Sequence, residues 1–171
     1  VLLNVRRDGG SARASEDVRE KRDGLGVGLG NGFQALVKLG VFKDGKISEL
    51  QAGDISIMSN PVGRYVSRMV HTKIMSNKSP WLSLDAVGAI YTLPVSSEEG
   101  ALVLSPEQAS SLFAAGQIAA CYCDEDGEPN TSEIWNPLGS AFAVEALLSP
   151  CGRIFGKMAL SERIGPDTFK N

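Results

Sequence analysis

Asp23 to Gln34 reads D-G-L-G-V-G-L-G-N-G-F-Q, with glycine at 24, 26, 28, 30 and 32. Glycines at this density before an apolar segment invite a phosphate-cradling loop. The spacing argues against it. A dinucleotide fingerprint needs G-x-G-x-x-G. Frames opening at Gly24, Gly26 and Gly28 meet Leu29, Asn31 and Phe33 at the sixth position. No G-K-[ST] follows either, so a P-loop is absent. The other reactive side chains are few and scattered: Cys121, Cys123, Cys151, the single histidine His71, and the pair Glu162-Arg163. The cysteines lack zinc-like spacing and read as buried thiols of a reduced cytosol, and no metal site is expected.

The elements that must position these residues follow from periodicity. Leu25, Val27 and Leu29 alternate with glycines as a strand does, and Phe33, Leu36, Val37 and Leu39 have helical spacing that ends at Gly40. A strand therefore runs into a helix across Gly30-Asn31-Gly32. Further strands are expected over 64–75, 89–95 and 118–123, with His71 on the first of them. Ser105-Pro106-Glu107-Gln108 opens a helix with a capping box, and Gly116 should end it. The last two strands, A-V-E-A-L-L and R-I-F-G-K-M-A, are joined by the turn S-P-C-G. Residues 1–22 are charge-rich and poorly patterned, so the organised domain is expected over 23–171. Strands mixed with helices imply an α/β fold.

Composition removes several classes. The chain has 171 residues and a net charge of −3. It shows no basic stripe with interleaved aromatics, so nucleic acid is not an expected partner. No apolar run approaches the ~20 residues of a membrane span, which argues against a membrane and for a cytoplasmic location.

G-L-G-N-G-F-Q-A-L-V-K-L-G resembles the nucleophile elbow of class I glutamine amidotransferases. It is most similar to the elbow in phosphoribosylformylglycinamidine synthases, G-I-C-N-G-F-Q-A-L. N-P-V-G-R-Y-V-S-R-M-V, T-K-I-M-S-N-K-S-P-W-L-S, G-Q-I-A-A-C-Y-C-D-E-D-G-E-P, N-P-L-G-S and G-R-I-F-G-K-M-A-L-S-E-R-I-G resemble later segments of that family in the same order. The likeness runs from about Asp23 to Gly165. It implies a flavodoxin-like class I amidotransferase fold with a mostly parallel central sheet, truncated here at its first strand.

The resemblance also implies a function and its loss. Such domains release ammonia from glutamine with a Cys-His-Glu triad, for synthetase domains that use ATP and magnesium in purine synthesis. No cofactor is implied for this domain itself. The nucleophile falls on Gly30 and the base on Leu160, while Glu162 keeps the third position and Arg163 follows it. Gln34, with Asn31 and Gly32, is placed beside the bound glutamine. Ser97 stands where the family's S-H-G-E-G loop has histidine. Two expectations follow: a glutaminase portion of such a synthase that is inactive as written, or a pseudo-glutaminase that binds or docks onto a synthetase to regulate it. Both make glutamine and synthetase domains the partners to test. The Arg64/Arg68 pair, on one strand face, is a candidate contact for such a partner.

Overall fold

The computed structural model describes residues 24–165; residues 1–23 and 166–171, including the poorly patterned N-terminal stretch, lie outside the described residues. The described residues form a six-stranded sheet, a separate two-stranded sheet and three α-helices.

Strand β1 (Gly26–Leu29) leads through Gly30 into helix α1 (Asn31–Lys38), and a short helix α2 (Val41–Asp44) follows. Strands β2 (Ser56–Ser59), β3 (Val66–Ile74), β4 (Ile90–Ser97) and β5 (Glu99–Val103) come next. Helix α3 (Pro106–Ala114) precedes β6 (Ile118–Cys123), β7 (Val144–Leu148) and β8 (Ile154–Lys157). The expected capping box is present: Ser105 Oγ accepts the Gln108 N–H at 3.2 Å, and Gln108 Oε1 accepts the Ser105 N–H at 2.8 Å. The expected helix over Phe33–Leu39 and the strand over 118–123 form where the periodicity placed them.

The large sheet has the order β1-β8-β7-β6-β3-β4. Only β1 and β8 run parallel; every other described neighbour is antiparallel. This corrects the expected mostly parallel sheet. Parallel neighbours need a crossover of a dozen or more residues, usually through a helix. Here β7 and β8 are joined by a tight turn, and the loops between β3 and β4 and between β6 and β7 each carry only a 3-10 turn. Strands β2 and β5, absent from the sequence reading, pair antiparallel as a second small sheet.

The three described α-helices pack on one face, where Phe33, Val37, Phe42 and Leu112 join Leu147 and Met158 in the main core. A smaller cluster with Ile74, Ala146, Leu148 and Phe155 covers the other face. The sheet curls so that the C-terminal ends of its two edge strands, β1 and β4, border a common cleft. Among the described residues no helix is long and apolar enough to cross a membrane.

Candidate functional site

The glycine ladder has two structural tasks. Gly28 lets α1 lie directly on β1. A Cβ there would come within 2.6 Å of Leu36 Cδ1 and 2.7 Å of the Gly32 backbone. Gly30 turns the chain. It sits at φ 51°, ψ −112°, a conformation side-chain-bearing residues rarely adopt. Its N–H donates to the Lys157 carbonyl at 2.9 Å, and its carbonyl accepts the Gln34 N–H at 3.1 Å. The turn is thereby fixed at both ends, between a strand of the sheet and the first turn of a helix.

The segment facing this elbow leaves the end of β8. Ala159 donates its N–H to Glu145 Oε1 at 2.7 Å, and Leu160 donates its N–H to the Pro94 carbonyl at 2.9 Å. These bonds tie the segment to β7 and to β4, bringing Leu160 against Gly30. A Cβ at position 30 would lie 2.9 Å from Leu160 Cδ2. A 3-10 turn over Ser161–Arg163 then exposes Glu162 and Arg163.

Between them lies a cleft of about 690 Å³ whose lining includes Gly30, Asn31, Gln34, Leu160, Glu162 and Arg163. The side chain of Gln34 is buried and committed to the fold. Its Nε2 donates to Ser97 Oγ at 3.0 Å and to the Glu99 carbonyl at 2.8 Å. One turn along α1, Lys38 Nζ lies 2.7 Å from Glu99 Oε2. Charges of both signs line this cleft, Lys38 and Arg163 beside Glu98, Glu99 and Glu162, which suits it to holding a polar ligand. Its lining contains no thiol and no imidazole.

The thiols and the histidine do not line it. Cys121 and Cys123 are buried in β6, and burial is the main cause that pushes the Cys121 thiol up to about 12, with the Glu145 charge adding to it. A thiol held protonated in this way is a poor nucleophile. Cys151 is exposed, against the expectation that all three would be buried, because it sits in the turn between β7 and β8. His71 lies on β3, its Nδ1 2.9 Å from Thr92 Oγ1 and its ring 5.8 Å from that of Trp135.

The family model of the CobB/CobQ-like glutamine amidotransferase domain matches residues 5–171. The chain belongs to that family. It is 27% identical over 141 residues to phosphoribosylformylglycinamidine synthase subunit PurQ of Aquifex aeolicus, covering 82% of this chain and 56% of that one. The corresponding subunit of Dehalococcoides mccartyi is 33% identical over 144 residues, covering 82% and 51%. The chain thus spans about half the length of these relatives. Among solved structures, that of PurLQS from Thermotoga maritima shares the fold. The TM-score is 0.61 at 21% identity, covering 88% of this chain and 57% of that one.

Placed on this amidotransferase fold, the residues singled out in the sequence do not all reach the cleft. Gly30, Asn31, Gln34, Leu160 and Glu162 all line the cleft. Gly32 does not; a Cβ on Gly28 would meet its backbone, while a Cβ on Gly32 itself would meet nothing within 4 Å. Asn136 is a structural turn residue, its side chain exchanging hydrogen bonds with the Ser140 backbone at 2.8 and 3.1 Å. Lys38 and Glu99 were missed as a pair. Lys38 follows Gln34 by four residues on one helix face, which was a usable signal, but its partner lies 61 residues away.

Proposed function

We propose that the chain is the glutamine amidotransferase portion of a phosphoribosylformylglycinamidine synthase of purine biosynthesis, with a cleft that no longer hydrolyses glutamine. One observation carries the reading. Positions 30 and 160 meet side against side, as a nucleophile and its base must, and glycine and leucine occupy them. Glycine has nothing with which to attack an amide, and leucine has no proton to carry. Glu162 at the cleft has no imidazole to orient. Losing a nucleophile and base that act as a unit costs about 10⁶ in turnover.

A second reading is favoured by the state of the cleft itself. The Gln34 amide is held within the fold, and Lys38 pairs with Glu99. A domain so organised, without its chemical groups, can serve as a pseudo-glutaminase that binds or docks onto a synthetase. In either reading ATP and magnesium belong to the synthetase partner, and glutamine is the ligand to test.

The experiment is ammonia release from glutamine by the parent, Gly30→Cys, Leu160→His and the double variant. The parent and both single variants should release none above buffer. Gly30→Cys alone puts a Cβ against Leu160 and leaves the thiol without a proton acceptor. The double variant restores thiol, imidazole and carboxylate together and should show measurable release. Saturable, glutamine-dependent ammonia release by the parent would overturn the reading.

A further inference from the structure

Strand β3 is covered along its full length on one side only. Its residues 66–73 pair with β4, whereas β6 takes only 71–74. The backbone from Val66 to Met69 therefore keeps one edge outside the six-stranded ladder. A groove of about 320 Å³ follows this stretch, lined by Arg64, Tyr65, Ser67 and Arg68 and walled by Glu133 and Pro137. Both arginines are exposed, and among the described residues neither guanidinium makes an ion pair or hydrogen bond. Two uncommitted guanidinium groups in one groove stand out on a chain of net charge −3.

Arg68 lies on β3 and Arg64 in the bend before it, not on one strand face, yet both line the same groove. A free phosphate would meet the arginines and leave the backbone edge unpaired. An extended polypeptide laid beside the strand would pair that edge, and its carboxylates would meet the arginines. Addition of a strand to a free sheet edge supplies backbone hydrogen bonds, and the charges set register. We propose that this groove docks an extended acidic segment of a partner polypeptide, which adds to the free edge of β3 while its carboxylates pair with Arg64 and Arg68. The proposal rests on the reading above that a synthetase is the partner, and assigns the surface that holds it. Tyr65, 59% exposed, lines both this groove and the cleft. A docked segment would therefore lie at the mouth of the cleft.

The test is calorimetric titration of the full chain with the synthetase subunit of the same organism, at about 50 and 300 mM salt. The parent should bind, more weakly at the higher salt. Arg64→Glu/Arg68→Glu should weaken binding at least about tenfold at low salt, and Arg64→Lys/Arg68→Lys should retain part of the affinity. Circular dichroism and the melting temperature establish that each variant is folded. A parent that binds alongside a charge-reversed variant that binds equally well overturns the docking site and leaves the partnership standing. A parent that does not bind overturns both. Saturation of the groove by inorganic phosphate at micromolar concentration would reassign it to a free anion and also overturn the proposal.

Discussion

Helices α1 and α3 start in opposite ways. At α3, Ser105 takes an extended backbone, φ −75° and ψ 159°, and its side chain and that of Gln108 close a reciprocal cap around Pro106. At α1 the N-cap is Gly30, at positive φ, and no side chain caps the helix. The α3 start satisfies orphan N–H groups with the chain's own atoms. The α1 start has no such side-chain cap and borders a cleft at Gly30 and Asn31, and it holds a backbone conformation that would cost any other residue energy. Such strain persists where the surroundings over-determine it. At Gly30 the surroundings are the Lys157 carbonyl on one side and Leu160 on the other. The elbow thus has the geometry to present a side chain at position 30 to the cleft.

The sharpest way to break this contrast is to put a Cβ on the elbow. Gly30→Ala meets both the positive φ and Leu160 Cδ2 at 2.9 Å. It should cost about 2–3 kcal/mol in a urea melt. Leu160→Ala removes the neighbour, so the double variant should be more stable than the two single losses added together predict, by about 1 kcal/mol. Strict additivity would mean that Leu160 does not crowd position 30, and the steric part of the argument would fail.

The capped helix should respond less, and for a different reason. Ser105→Ala deletes the acceptor for the Gln108 N–H and should cost about 1 kcal/mol, while Ser105→Gly should cost only a few tenths. Both are read in the same urea melts. Equal losses at Ser105→Ala and Gly30→Ala would remove the distinction between a start built for stability and one built for geometry.

The contrast also marks what could be read from the sequence. The cap was legible because all its parts lie within four residues, Ser105 to Gln108. The turn between β7 and β8 was legible for the same reason. The meeting of Gly30 with Leu160 was legible only through the resemblance, since 130 residues separate them and no local pattern joins them. Strands β2 and β5 escaped because each is short and pairs with a partner some 40 residues away. The direction of the sheet was misread because periodicity reveals a strand and not the sense of its neighbour. Lys38 is visible as a helix-face residue, but Glu99 becomes its partner only when β5 folds back.

Glu145 was hidden most completely. It sits within the apolar run A-F-A-V-E-A-L-L, yet it is fully buried and anchors the segment that carries Leu160. Its second oxygen has no partner, and burial raises its pKa above the ordinary 4.5, with Lys157 and the backbone N–H bonds acting in the opposite direction. Tyr122 and Cys121 are the other titratable groups whose pKa its charge shifts. A carboxyl whose pKa is raised on folding stabilises the protein fully below its unfolded value. That contribution is lost as the pH climbs through the folded value, because the unfolded chain gives up the proton more readily. Glu145→Gln keeps an oxygen for the Ala159 N–H and cannot ionise. At pH 4.5 it should therefore differ from the parent by less than about 1 kcal/mol. From there upward the parent's stability should fall relative to the variant's, measured as urea midpoints at intervals from pH 4.5 to 8. Parallel curves would show that Glu145 does not change its proton affinity on folding, leaving its bond to Ala159 as a purely structural tie behind the elbow.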